Sequence, residues 1–237
     1  MNVLTRKTIW SGAALVAVAF AGVVFAAQPA RPAMPAAAGM SEDKGKLVIT
    51  VDGQPVGTED FSITRAGDHW VAKGATEYHA ARGNGRVTGE LQLNNAGQPL
   101  RYVWSSAGAK ATSTTVFTGS TAEITLDMGN GTPVKQEFKF ASPVVILDNN
   151  LYHQYEILSR VYNWAAGGPQ NFAVLIPQEQ SPGNITVEST GPSTLDGVRY
   201  EELVVHSPDL QVNVYLDPAH RLMRLAVPAV KAEIRRQ

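Results

Sequence analysis

The chain has 237 residues, of which 44% are hydrophobic and 17% charged, and its formal net charge is -1. That much apolar material builds a sizeable core, while the near-neutral balance offers no field to attract nucleic acid or anionic lipid. Cysteine is absent, which excludes disulfides, thiolate metal sites, cysteine nucleophiles and a lipid-bearing cysteine.

The first residues read as an export signal. Arg6 and Lys7 precede an almost wholly apolar run from Ile9 to Phe25, and Val24 and Ala26 are placed for cleavage after Ala26. Residues 1–27 are therefore expected to be a signal peptide, or an uncleaved N-terminal anchor, since about 20 apolar residues suffice to span a bilayer. Either reading puts the body outside the cytoplasm, in the periplasm or the extracellular space. Residues 28–44, where Pro29, Pro32 and Pro35 are spaced among alanines, read as an extended linker.

Residues 45–237 read as one β-rich domain in two sequential halves, 45–147 and 165–237, joined by a helix. Val87, Leu91 and Leu93 fall on one face of a strand, and Thr88, Glu90 and Gln92 on the other. Ala122, Ile124, Leu126 and Met128 oppose Glu123, Thr125 and Asp127, and Val134, Phe138 and Phe140 oppose Lys135, Glu137 and Lys139. This period of two sorts cleanly only on strands, and a wet face implies antiparallel pairing. Asp52-Gly53, Asn84-Gly85, Asn130-Gly131 and Asp196-Gly197 are hairpin pairs, with Gly67 and Gly97 at further corners. Leu151, Tyr155, Leu158 and Tyr162 recur at helical spacing, predicting a helix over about 149–164, with Asp148 as its N-cap and Gly167, Gly168 and Pro169 as its stop. About thirteen strands are expected, near the upper limit for one open twisted sheet. The fold class is thus mainly β: a large curved antiparallel meander or open barrel, with the helix plugging or capping its concave face.

The densest cluster of functional side chains surrounds the predicted helix start. Asp148, Asn149, Asn150, Tyr152 and His153 could orient a polar ligand or carry out acid–base work, and structural capping uses the same residue types. Gln170 and Gln178, beside the Gly167-Gly168 pair, form a second candidate binding set at the other end. Trp70, Tyr78, Tyr102 and Trp104 could line a concave pocket or fill a core. The histidines His69, His79, His153, His206 and His220 lack metal-ligand spacing, so neither metal nor cofactor is expected. No nucleophile elbow or zinc-protease motif occurs, and Glu59-Asp60 and Glu201-Glu202 are adjacent carboxylates that a strand points to opposite faces.

Gly53-Gln54-Pro55-Val56-Gly57-Thr58-Glu59 and Gly97-Gln98-Pro99-Leu100-Arg101-Tyr102, together with Val214-Tyr215-Leu216-Asp217-Pro218 and Arg221-Leu222, are the residues of a family likeness. The chain resembles exported bacterial proteins grouped as a domain of unknown function. The resemblance implies a long, curled antiparallel sheet in the bacterial envelope and carries over no catalytic residue. The helix segment and Gly168-Pro169-Gln170 look like a subgroup feature.

The function these observations support is non-catalytic binding or carriage of an apolar or amphiphilic small molecule, or an interaction with an envelope protein. The alternatives are a structural module that recruits partners through sheet edges, and a hydrolase or isomerase working at the helix N-terminus. Nucleic acid is not an expected partner, and membrane contact is expected only through an uncleaved N-terminal segment.

Overall fold

The computed structural model describes residues 39–80 and 83–237. The expected signal peptide, and the linker as far as residue 38, lie outside these. Among the described residues no helix is long and apolar enough to cross a membrane.

Among the described residues fifteen strands, two more than expected, and one α-helix follow one another. The first eight are β1 (Asp43–Val51), β2 (Gln54–Ala66), β3 (His69–Ala80), β4 (Gly83–Leu93), β5 (Pro99–Ser106), β6 (Ala111–Thr118), β7 (Thr121–Asp127) and β8 (Val134–Lys139). Next come β9 (Val144–Ile146) and α1 (Gln154–Val161). The chain then closes with β10 (Gln170–Ile176), β11 (Ser181–Leu195), β12 (Val198–His206), β13 (Gln211–Leu216), β14 (Leu222–Val227) and β15 (Ala232–Arg236).

All fifteen strands form one sheet, ordered β8 to β1, then β15 back to β10, then β9. Each half is a meander, as the hairpin-length spacing implies. The halves join through the antiparallel pairing of β1 with β15, from Leu47 opposite Arg236 to Val51 opposite Ala232. This seam is a long-range contact that no local pattern encodes. One pair departs from the antiparallel rule, because β9 lies parallel to β10, with Val145 opposite Val174. The first strand begins at Asp43, inside the expected linker.

The turns obey local chemistry in part. Asp52-Gly53 and Asp196-Gly197 have positive φ at both residues (50° and 75°, 53° and 78°), as a tight hairpin of right-handed strands requires. Asn84 and Gly85 instead lie inside β4, opposite His79 and Tyr78. In the β7–β8 loop the left-handed residue is Gly129, not the Asn130-Gly131 pair.

The inward face of β2–β7 is continuous across the register. Phe61 lies opposite Gly74, Gly74 opposite Gly89, Gly89 opposite Trp104, and Trp104 opposite Ser113. This face and its counterpart on β10–β15 pack on the helix segment, burying Leu47, Ile63, Leu91, Tyr102, Leu151, Leu158, Tyr162, Val187, Leu216 and Ile234. Seven of the eight helix residues are buried, Gln154, Glu156, Ser159 and Arg160 among them. The concave side of the sheet is therefore filled by the helix. Trp70, Tyr102 and Trp104 are buried core residues, with Tyr78 packed at its margin, and do not line an open concave pocket.

Candidate functional site

The helix is shorter than its apolar spacing predicts, and Asp148 does not cap it. The N-cap residue is His153, whose side chain makes no capping bond, and Tyr162 has already turned extended. The first-turn N–H groups of Gln154, Tyr155 and Glu156 bond to the carbonyls of Leu151, Tyr152 and His153, and the two N–H groups just before them are satisfied from a distance. Glu59, inward-facing on β2, accepts the backbone N–H of Tyr152 (2.8 Å) and of His153 (3.3 Å) through Oε2. Its Oε1 pairs with His153 Nδ1 at 2.5 Å. Both side chains are sealed, at 0% exposure for Glu59 and 1% for His153. The imidazole stacks on Phe61 with ring centroids 6.0 Å apart. The sheet is cut away to receive it, since a Cβ at Gly74 would lie 2.5 Å from both His153 Cε1 and Glu59 Oε1. Beside it a Cβ at Gly89 would meet Leu151 Cδ1 at 2.5 Å. Glycine is needed at this pair because the helix entry presses onto the bare backbone there.

Asp148 sits in a second pocket of donors. Its Oδ2 accepts the Tyr102 hydroxyl (2.7 Å), and its Oδ1 accepts the backbone N–H of Gln178 (3.0 Å) and of Asn149 (3.1 Å). The Asp148 N–H donates to Gln154 Oε1 at 2.5 Å. Burial raises the Asp148 pKa to about 6, even though these donors favour the carboxylate. Burial also lifts the Tyr102 phenol well above its ordinary value, with the Asp148 charge adding to the effect.

The other sequence-selected residues are drawn into the same fabric. Asn150 is left-handed (φ 61°), and its carbonyl accepts the Thr76 hydroxyl at 2.5 Å. The Tyr152 hydroxyl reaches Asn150 Oδ1 at 3.4 Å. Gln178 Nε2 donates to the Asn149 carbonyl (2.7 Å), and Asn149 Nδ2 to Glu179 Oε1 (2.8 Å). Gln170 stands apart, in a reciprocal pair with the backbone of Asn163 beyond the helix C-terminus (2.9 and 2.8 Å).

A further ionic knot escapes the sequence reading. Glu156 Oε1 accepts from Arg160 Nη2 (2.8 Å), and Oε2 accepts the Leu222 N–H on β14 (2.9 Å). Arg236 Nη1 lies 3.8 Å from the same carboxylate and forms two bonds to Asp43 across the β1–β15 seam, at 2.6 and 2.7 Å. Burial lifts the Glu156 pKa to about 7 against the pull of Arg160. The helix is thus tied to β2, β3 and β5 on one side and to β14 and β15 on the other.

On the opposite side of the Gly74–Gly89 notch, the outer face of β2–β5 forms a trough of about 640 Å³. Ala75 and Val103, with the bare backbone of Gly74 and Gly89 between them, contribute an apolar floor, and Asp60, Lys73, Glu90 and Arg101 a charged border. Lys73 Nζ is 2.9 Å from Glu90 Oε2, and this bond, helped by the Arg101 charge, holds the Glu90 carboxyl below its ordinary pKa. The Thr88 and Ser105 hydroxyls are bonded at 2.8 Å. None of these residues stands out as a motif. The only sequence signal is glycine and alanine where strands otherwise carry bulk.

No family model matches the chain, and no curated protein does. Among solved structures it is similar to a β-barrel-like protein of the domain of unknown function DUF1849 from Brucella abortus. The likeness has a TM-score of 0.57 at 7% identity and covers 83% of this chain and 94% of that one. It shows a shared fold, mainly antiparallel β and barrel-like, with the sheet left unclosed.

Proposed function

We propose that the protein is a non-catalytic binding protein of the bacterial envelope, which holds an amphiphilic molecule with an anionic head in the outer trough of β2–β5. The observation that carries this reading is the trough itself. Its volume falls within the roughly 300–1,000 Å³ of small-molecule sites, with an apolar floor and a few charged groups to fix orientation. Lys73 and Arg101 stand at its border, where a carboxylate or phosphate head would meet them, while an acyl body would lie along Ala75 and Val103.

The sealed interior argues against the acid–base alternative. Glu59 and His153 form a carboxylate–imidazole pair of the sort enzymes use. With both side chains essentially unexposed, no substrate atom reaches them without expelling the helix. Export to the envelope remains part of the proposal and is motivated by the N-terminal charged and apolar segments.

The test uses a dansyl-labelled undecanoate as fluorescent probe. Saturable binding is expected, with loss on Ala75→Trp, which fills the floor, and a fall in affinity of roughly tenfold on Arg101→Glu. Absence of binding, or equal binding by both variants with folding intact by circular dichroism, refutes it.

A further inference from the structure

The two ends of the sheet are not alike. The terminal strand β9 has three residues, of which Val145 and Ile146 are buried, and it packs beside β5. The other terminal strand, β8, is exposed over Val134 to Glu137, with Val134 54% accessible. An open edge of this kind is a template for strand addition.

The geometry of β8 says which groups are offered. Phe140 N–H donates to the Ser120 carbonyl (2.8 Å), one step beyond the Thr121–Lys139 pair. Antiparallel hydrogen-bonding alternates by residue, so the even positions of β8 bond to β7. The backbone N–H and C=O groups of Lys135, Glu137 and Lys139 then point to the free edge. The side chains sort by face as well. Val134, Gln136 and Phe138 share the inner face, with Phe138 opposite Ala122, and Lys135 and Glu137 share the outer face.

On the outer face the strand carries an unbalanced pair, because Glu137 lies directly opposite Glu123 on β7. Lys135 relieves Glu123 (3.2 Å), while Lys139 reaches Glu137 only at 3.8 Å. Like charges in directly opposed positions are destabilising, so a cation arriving from beyond the edge is favoured at Glu137.

We propose that β8 is a homodimerisation edge, on which a second copy of this chain pairs antiparallel about a two-fold axis through Gln136. A two-fold axis there places each Lys135 opposite Glu137 of the other copy and each Val134 opposite Phe138. Both faces are thus self-complementary. The same axis aligns the outward backbone groups of residues 135 and 137, which form four interchain bonds, and leaves Gln136 as the close, non-hydrogen-bonded pair. An axis through Glu137 would oppose Glu137 to itself and Lys135 to Lys139. One through Phe138 would pair Glu137 with Lys139 but leave Lys135 and the exposed Val134 outside the paired segment.

The absence of native cysteine supplies the test, since any introduced thiol is unique. Purified full-length chain carrying Gln136→Cys is oxidised with diamide and compared with Lys135→Cys and Phe138→Cys. Covalent dimer is expected predominantly at position 136, where the axis brings the two copies closest. Sedimentation velocity of the cysteine-free chain is expected to show concentration-dependent dimer. Lys135→Glu weakens it by roughly tenfold, and Lys135→Glu with Glu137→Lys restores it, because the two-fold axis re-pairs the exchanged charges. A chain that stays monomeric at high micromolar loading overturns the proposal. So does cross-linking that peaks at position 135 or 138, or a double variant as weak as the single one. Lys135, Gln136 and Glu137 are exposed and Phe138 is half-buried, and retained folding of every variant is checked by circular dichroism.

Discussion

Glu59→Ala tests whether the buried carboxylate is what seats the helix. The truncation strands two backbone N–H groups, those of Tyr152 and His153, and removes the partner of His153 Nδ1. All three lie where water does not reach, since Glu59 and His153 are both 0% exposed as residues. Each orphaned buried group costs roughly 1–3 kcal/mol, and three are left. The contributions overlap, because the helix start can shift to find other acceptors. The expected loss is about 4 kcal/mol, a large share of the roughly 5–15 kcal/mol that holds a typical domain together. Glu59→Gln keeps an oxygen for the two backbone donors and is expected to cost about 1–2 kcal/mol. Urea unfolding followed by tryptophan fluorescence measures both, since Trp70 and Trp104 are buried core residues. An unchanged m-value would show that the native state alone is affected. A loss below about 1 kcal/mol for Glu59→Ala, or no coupling to His153→Ala in a double-mutant cycle, would refute the assignment.

Gly74→Ala inserts a methyl group 2.5 Å from the rigid Glu59–His153 pair, and a loss of about 2–3 kcal/mol in the same assay is expected. Thr115→Val should have the opposite sign. The Thr115 hydroxyl is buried without a protein partner, so an isosteric methyl is expected to raise stability by about 1 kcal/mol. The third prediction concerns pH. Burial raises the Asp148 pKa from 3.8 to about 6, so the folded state holds its proton more tightly than the unfolded state. The stabilisation from this proton is full below about pH 4 and is lost as the pH rises through about 6. Wild type minus Asp148→Asn stability is therefore expected to fall across that window, by at most about 3 kcal/mol, and to stay level above it. The difference removes the contribution of His220, whose burial-depressed pKa acts in the opposite direction. A level difference from pH 4 to 7 would show that Asp148 is ionised throughout.

What the sequence discloses is whatever is encoded locally. Alternation over Ala122 to Leu126 and over Val87 to Leu93 places the inward residues correctly, because a strand's two faces are set by its own neighbours. Asp52-Gly53 and Asp196-Gly197 form the expected turns for the same reason. Asn84-Gly85 fails because the two bordering strands extend further than their apolar residues indicate. The three residues of β9 are too few to show any period, and their parallel pairing depends on β10. Asp148 at the start of an apolar helical stripe looks like a cap, yet the first turn bonds to local carbonyls and the residues entering it are held by Glu59, which lies 93 residues from Tyr152 in sequence. A signal for Glu59 exists all the same. It occupies an inward position in line with Phe61 and Ile63, where the alternation calls for an apolar residue. A carboxylate on a core face needs buried donors, and the backbone N–H groups of the chain entering the helix provide them.

That anchoring of the helix entry by a distant carboxylate explains how so wide a sheet can remain unclosed. A closed barrel ties its first strand to its last by a ladder of hydrogen bonds. Here β8 and β9 never pair, and the ladder closes only at β1–β15, in the middle of the strand order. The halves would be free to splay about that seam if nothing spanned the space between them. The helix segment spans it. One end is held by Glu59 on β2, Thr76 on β3 and Tyr102 on β5, and Glu156 is held by the Leu222 amide on β14 and lies beside Arg236 on β15. Apolar packing alone would let such a rod slide or rotate, because hydrophobic contact is non-directional. Buried carboxylates with two or three fixed donors each are directional, and they are costly when left unmade. They therefore fix the register of the rod against both halves, and with it the depth of the Gly74–Gly89 notch whose outer side is the trough. Loss of the knot is accordingly expected to reach the outer face through the sheet itself, without any residue of the trough being altered.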